Sequence, residues 1–298
     1  MGPRHRGVAK AALLLLAAAQ VALVAAGRPG AIQVSADIYQ GVPAPAGVFD
    51  FMVRILLPTS DGNGGTVWTH ACGGSLISPT AVLTAAHCVV IEPEGLLPAD
   101  VFLLENRGVA YTASGVIVHP NYNASALEGW NQDLHDDKYV TLPPPNYDLA
   151  VIQLATAVPN PVLIQLPSPD LQLMAGEVAE VAGWGRTDGS DTSPASDTLL
   201  YAQLQLAAPF DWNNPPVPGT CPMPSFPDMI CALNTQTGAN ACAGDSGGPL
   251  FLRDYTSSTG NATIIGIVSN GPSCSDVDYG FYTDVRDYTS EIQVWIAA

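Results

Sequence analysis

The sequence predicts an all-β protein in two successive parts, closed by one helix. Three observations carry that expectation. From Phe51 to Leu154 the apolar residues come in short runs broken by Gly, Pro, Asn and Asp, the pattern of strands and turns rather than helices. Thr156 to Asp170, with four prolines, reads as a linker between domains, and strand-like runs resume beyond it. Ser290 to Ala298 places Ile292, Val294, Trp295 and Ile296 on an amphipathic helical pattern. At 298 residues the chain is long enough for one or two domains with a sizeable core.

Residues 1–26 read as a signal peptide. Arg4, Arg6 and Lys10 form its basic end, Ala11 to Ala26 its apolar stretch, and Val24-Ala25-Ala26 a cleavage site of small residues. Sixteen apolar residues are short for a membrane span, and no later run is longer. The expected product is secreted, with no span in the mature chain. Gly27 to Asp37 is a short segment ahead of the domains. Six cysteines fit an oxidising compartment, but six admit fifteen pairings. No Cys-x-x-Cys or Cys/His cluster points to metal. Glu92, Glu94 and Glu105 read as solvated acids, and no metal or cofactor is expected. Asn123-Ala124-Ser125 and Asn261-Ala262-Thr263 are glycosylation sequons. Asp188 to Ser196 and Pro222 to Pro227 read as loops.

The formal charge is −17, and loss of the three basic residues in 1–26 takes it to −20. Lys138 is then the one remaining lysine. That balance argues against nucleic acid and anionic membranes as partners, and fits solubility or the steering of cationic substrates.

The chemistry centres on Gly244-Asp245-Ser246-Gly247-Gly248-Pro249. Flanking glycines allow a sharp turn with the serine hydroxyl at its tip. The pattern also satisfies the G-x-S-x-G elbow of α/β-hydrolases. Those enzymes need a histidine after the serine, and His5, His70, His87, His119 and His135 all precede Ser246. An esterase of that type is excluded by chain order. Serine needs a neighbouring base, and Leu83-Thr84-Ala85-Ala86-His87-Cys88 offers a histidine after an apolar run. Asp148 opens another such run, through Leu154, and supplies a carboxylate to orient the imidazole.

With His87, Asp148 and Ser246 in that order, the sequence resembles the trypsin/chymotrypsin-like serine proteases. The resemblance also rests on Cys72-Gly73-Gly74-Ser75-Leu76-Ile77, Gly183-Trp184-Gly185 and Tyr282-Thr283, spread over most of the chain after about residue 38. It implies two six-stranded antiparallel β-barrels with a C-terminal helix, the first over residues 38–156 and the second over 157–298. It implies a serine endopeptidase acting on proteins or peptides, met by protease inhibitors, and a monomer. Gly244 and Ser246 become the oxyanion hole, and Ser269 the serine touching the catalytic aspartate. Asn240 falls at the base of the substrate pocket and Gly271 and Gly280 on its walls. A neutral base with open walls favours large apolar or aromatic side chains, whereas Asp276 and Asp278 on the adjoining loop would restore some preference for basic ones. The implied disulfides are Cys72–Cys88, Cys221–Cys231 and Cys242–Cys274. His70 and His119 are expected to be structural.

Cleavage before Ile38 would free an amine to pair with Asp245. The chain departs from the family there, because Asp37 stands where arginine or lysine is usual, and Arg28 is followed by Pro29. Asn270 replaces an aromatic residue common in the family. The stretch 124–147 is an insertion carrying Glu128, Trp130 and Tyr139, equally readable as a functional loop or as decoration. A protein that binds on this fold without cutting, or a proform, is the alternative reading.

Overall fold

The computed structural model describes residues 38–91, 95–124, 147–188, 193–208, 221, 228–256, 261–271, 274–275 and 279–297. The leader at 1–26, the segment 27–37, most of the 124–147 insertion, the Pro222–Pro227 loop, Glu92, Glu94, Asp276 and Asp278 lie outside the described residues.

Fifteen strands are described: β1 (Val42–Pro43), β2 (Met52–Ser60), β3 (Thr66–Ser78), β4 (Ala81–Thr84), β5 (Val90–Ile91), β6 (Gly95–Leu96), β7 (Leu103–Asn106), β8 (Val109–Val118), β9 (Ala150–Leu154), β10 (Val178–Gly183), β11 (Leu200–Leu206), β12 (Met229–Leu233), β13 (Pro249–Arg253), β14 (Ala262–Asn270) and β15 (Tyr279–Asp284). One helix, α1 (Thr289–Ala297), follows. Strands β2-β3-β4-β9-β8-β7 close into a six-stranded antiparallel barrel. A second barrel runs β11-β10-β13-β14-β15-β12 and closes through β12 against β11.

The short strands alternate where one face meets solvent and lose alternation where both faces are covered. β11 reads buried–exposed along its length, whereas β4 is buried throughout. β3 does both. Its first four residues are exposed, but Cys72–Ile77 are all buried. The second barrel packs against this inner half: a Cβ added at Gly73 would lie 3.2 Å from the Gly248 Cα. Small residues at 73 and 248 are therefore what brings the barrels together.

The hydrophobic core continues across that junction. Phe49 and Phe51, ahead of and entering the first barrel, meet Phe251 of β13 edge-on at centroid distances of 5.3 and 5.4 Å. Such ring pairs contribute about 1 kcal/mol each beyond the area they bury. Helix α1 closes the first barrel from outside, with Ile292 buried and Trp295 and Ile296 packed on its core. Val294 points away and is 66% exposed, because it falls off the i, i+3, i+4 face that Ile292, Trp295 and Ile296 share.

One segment crosses over. Ile38 to Pro43 do not join the first barrel: β1 pairs with β11, Val42 opposite Tyr201, and Ile38 is fully buried in the second barrel's core. Among the described residues no helix is long and apolar enough to cross a membrane.

Candidate active site

Strand pairing brings the histidine and aspartate to one rim of the first barrel. β4 and β9 pair with Thr84 opposite Ala150. His87 follows β4 in a short 3-10 turn, Ala86–Cys88, and Asp148 lies two residues before β9. Cys88 is tied to Cys72 of β3 by a disulfide. Closing a loop of that length contributes about 3 kcal/mol in the chain-entropy account. Tyr147 takes a left-handed φ of 68°, which turns the chain so that Asp148 faces inward.

Asp148 is completely buried, and its carboxylate accepts three hydrogen bonds. His87 Nδ1–H donates to Oδ2 at 2.8 Å, the His87 backbone N–H donates to Oδ1 at 3.0 Å, and Ser269 Oγ donates to Oδ2 at 2.6 Å. Because Nδ1 carries the proton, Nε2 keeps its lone pair. Burial alone would raise the Asp148 pKa, but the His87 charge, the hydrogen bonds from its ring and backbone and the Ser269 hydroxyl hold it below the ordinary carboxylate value. For His87 burial pulls down, and the charge and hydrogen bond of Asp148 outweigh it, leaving the imidazole above its ordinary 6.5.

The serine arrives from the second barrel. Gly247 N–H donates to Val268 O at 2.8 Å and Val268 N–H to Gly248 O at 2.9 Å, which pins the loop to β14 one residue before Ser269. Gly73 N–H of the first barrel donates to Ser246 O at 2.7 Å. Gly247 has φ 78°, and a Cβ there would strike Thr84 Oγ1 and Gly73 O. Ser246 is thus held half-buried between the two barrels, just beyond Thr84 and Ala85, which lead into His87. Among the described residues no hydrogen bond yet joins its hydroxyl to the imidazole. Such contacts are often loose in free enzymes and tighten with substrate.

Gly244 has φ 98°, and its carbonyl accepts from His70 Nε2–H at 2.8 Å. That contact turns the peptide so that its oxygen points to His70. The N–H groups of Gly244 and Ser246 make no hydrogen bond among the described residues and stay available to a ligand. Asp245 is completely buried, its oxygens accepting from Gly185 N at 2.7 Å and Cys242 N at 2.8 Å. Side chains at Gly183 or Gly185 would overlap this carboxylate, which explains the glycines around Trp184. Ile38 is buried in the second barrel with φ 54°, and Tyr39 bridges to Asn240.

Asn240 is itself buried, its Nδ2–H donating to Tyr279 O at 2.6 Å. Gly271 and Gly280 face each other beside it, a Cβ at Gly271 lying 3.6 Å from the Gly280 Cα. Disulfides Cys242–Cys274 and Cys221–Cys231 brace this side. Asn123 and Asn261, the two sequon asparagines, are exposed. The one close group of potential metal ligands among the described residues, Cys72, His87 and Cys88, has both sulfurs in a disulfide and its Nδ1 on Asp148.

A family model described as Trypsin matches residues 38–292. The chain belongs to the trypsin family. It is 30% identical to serine protease Hayan of Drosophila melanogaster over 90% of this chain and 40% of that protein. It is 29% identical to fibrinolytic enzyme isozyme C of Lumbricus rubellus over 74% of this chain and 86% of that protein. It is 33% identical to coagulation factor XII of Bos taurus over 75% of this chain and 36% of that protein. The chain therefore spans about two fifths of the length of Hayan and about a third of factor XII. The double barrel sets His87, Asp148 and Ser246 where the two halves meet.

Three features of the site escaped sequence reading. The part that His70 plays, holding the Gly244 carbonyl across 174 positions of sequence, had no local signal beyond its place just before Cys72. Tyr282 stood in a recognised motif without an assigned role. Thr283 Oγ1, which donates to the Asp148 carbonyl at 3.1 Å, was equally silent.

Proposed function

We propose that this member of the trypsin family is a secreted serine endopeptidase that cleaves peptide bonds through an acyl-enzyme on Ser246. The observation that carries the reading is the fully buried Ser269–Asp148–His87 hydrogen-bond chain. A carboxylate taken completely out of water is costly unless paired, and here it sets one imidazole tautomer.

In the proposed reaction, His87 Nε2 takes the Ser246 proton as Oγ attacks the substrate carbonyl carbon, giving a tetrahedral oxyanion. The N–H groups of Gly244 and Ser246 stabilise that oxygen, a contribution of about 3 kcal/mol for each donor. The imidazolium, stabilised by Asp148, then protonates the leaving amine as the carbon–nitrogen bond breaks. Water repeats the sequence on the acyl-enzyme, with His87 again as base and Ser246 as leaving group. Asn240, Gly271 and Gly280 receive a large uncharged side chain of the substrate. Secretion rests on the leader at 1–26, and the exposed Asn123 and Asn261 suit glycosylation.

A second reading, an unactivated proform or a silent binding protein, is favoured by Asp37 at the expected cleavage point. Fluorophosphonate labelling separates them, because it needs both an activated serine and a formed oxyanion hole. Labelling of Ser246, lost in Ser246→Ala and His87→Ala, is the expected result for a chain starting at Ile38. Absence of labelling on that chain overturns the protease reading. Labelling confined to the chain starting at Ile38, and missing from one that retains residues 27–37, identifies the longer form as the proform.

A further inference from the structure

Asp148 sits at the centre of a three-residue turn, in which Leu149 N–H donates to Tyr147 O at 2.8 Å. Tyr147 enters that turn at φ 68°, a conformation uncommon for a residue with a large side chain. Such a conformation persists only where its surroundings hold it. His119, the residue after β8, does the holding. Its imidazole stacks on the Tyr147 ring, with centroids 4.5 Å apart and planes inclined by 13°. Its backbone N–H donates to Leu149 O at 3.2 Å. One residue thus grips the chain on both sides of Asp148.

His119 is itself fixed. It is buried, and both ring nitrogens are engaged. Asn121 N–H donates to Nδ1 at 3.2 Å, so the ring proton sits on Nε2, which donates to Glu291 Oε2 at 3.1 Å. Tyr288 and Trp295 meet the imidazole edge-on, at centroid distances of 5.4 and 6.0 Å. Glu291 and Trp295 are four residues apart in α1, and Tyr288 stands three before Glu291. That spacing puts all three on one side of the C-terminal helix and the turn leading into it.

Packing alone would be served by any apolar ring. The imidazole adds a directional bond at each of two nitrogens, and these set the plane on which Tyr147 lies. The precision matters at the next residue. One Asp148 oxygen meets the His87 ring at 2.8 Å while the other meets the His87 backbone at 3.0 Å. A misplacement of about 1 Å in a reacting constellation costs about 100-fold in rate.

We propose that His119 is a positioning residue for the reaction: stacked on Tyr147 and bonded to Leu149, it holds Asp148 in the orientation that serves His87, and through Glu291 it makes the C-terminal helix part of the same brace. This rests on the protease reading above and adds to it a residue that touches neither substrate nor the reacting atoms.

The test separates a brace from a turn that needs only the right backbone. Glycine adopts positive φ without strain, so Tyr147→Gly suits the turn while removing the ring, and Tyr147→Phe keeps the ring. Hydrolysis of peptide amides by the chain starting at Ile38 is measured with fluorophosphonate labelling and thermal unfolding in parallel. Tyr147→Gly should lower kcat about tenfold or more with KM unchanged, and Tyr147→Phe should keep the parent value. The acid limb of the kcat/KM profile should move to lower pH in Tyr147→Gly, because a displaced Asp148 raises His87 less. Glu291→Ala, at a half-exposed side chain, should lower kcat about threefold and add little in the Tyr147→Gly chain, since the helix acts through the stacked rings.

Tyr147→Gly as active as the parent, with the acid limb unmoved, overturns the inference and leaves the protease reading standing. An equal loss in Tyr147→Phe, or a Glu291→Ala effect that is fully additive, does the same. If Tyr147→Gly melts below the assay temperature, Glu291→Ala decides alone, and an unchanged kcat overturns the inference. Absence of both labelling and hydrolysis in the parent chain overturns the protease reading and this inference with it.

Discussion

Two buried polar side chains, Asp148 and Asn240, differ in how their polar atoms are spent. Asp148 accepts from the His87 ring, the His87 backbone and Ser269, and Thr283 caps its carbonyl. Among the described residues, Asn240 Oδ1, with Tyr282 OH and both polar atoms of Asn270, is buried without a hydrogen-bond partner. The difference separates two tasks. Groups that must hold one geometry through the reaction are satisfied in advance, because preorganised dipoles need no rearrangement as charge develops. On the proposed reading the pocket residues choose the substrate, and discrimination arises where a wrong ligand leaves a polar group unsatisfied.

The largest expected break of this contrast is on the satisfied side. Asp148→Asn keeps the shape but puts an N–H donor among the donors around it, and His87 loses its fixed tautomer. A fall of about 10⁴ in kcat/KM with an unchanged thermal unfolding curve is expected. A fall below about tenfold would show that the buried chain does not orient the base.

The pH profile is the next test. His87 must be neutral to take the proton, and Asp148 holds its pKa above 6.5. Activity should therefore fall about tenfold per pH unit on the acid side of that raised value, near 100-fold over two units. A midpoint at or below 6.5 would contradict the pairing seen between the two side chains.

A smaller effect sharpens the comparison. Ser269→Ala removes one of three hydrogen bonds to Asp148 and leaves the tautomer intact. Loss of a hydrogen bond to a charged group corresponds to about tenfold or somewhat more. The acid limb of the pH profile should shift as well, since less support for the carboxylate changes the partner of His87. An unchanged profile would make Ser269 merely structural.

The smallest expected effect concerns His70 of β3, which holds the Gly244 carbonyl. Burial, aided by the Arg54 charge and opposed by the hydrogen bond to Gly244, brings its pKa down to about 4. The unfolded chain takes up this proton near 6.5, the folded one only near 4. The contribution of His70 to stability is thus full above 6.5 and lost as pH falls from 6.5 toward 4, by at most about 1.4 kcal/mol per unit. His70→Gln keeps a donor for Gly244 O without titrating. Its unfolding midpoint should fall less than that of the parent between pH 6.5 and 4, by calorimetry, and equal slopes would remove His70 from the account.

Sequence alone determined the β character, the chain order of His87, Asp148 and Ser246 and the exclusion of an α/β-hydrolase, because these depend on local periodicity and on chain order. The glycines at 73, 183, 185, 247 and 248 were visible as motif letters, but what each makes room for was not. The tertiary structure decided that Ile38 to Pro43 belongs to the second barrel, since strand pairing with β11 is made across more than 150 positions. It decided that Val294 leaves the apolar face of α1. It also decided how Asn240 is turned. An asparagine offers both a donor and an acceptor to any reader of its sequence. Only the carbonyl of Tyr279, folded against it from 39 positions away, consumes the donor and fixes which way the amide faces.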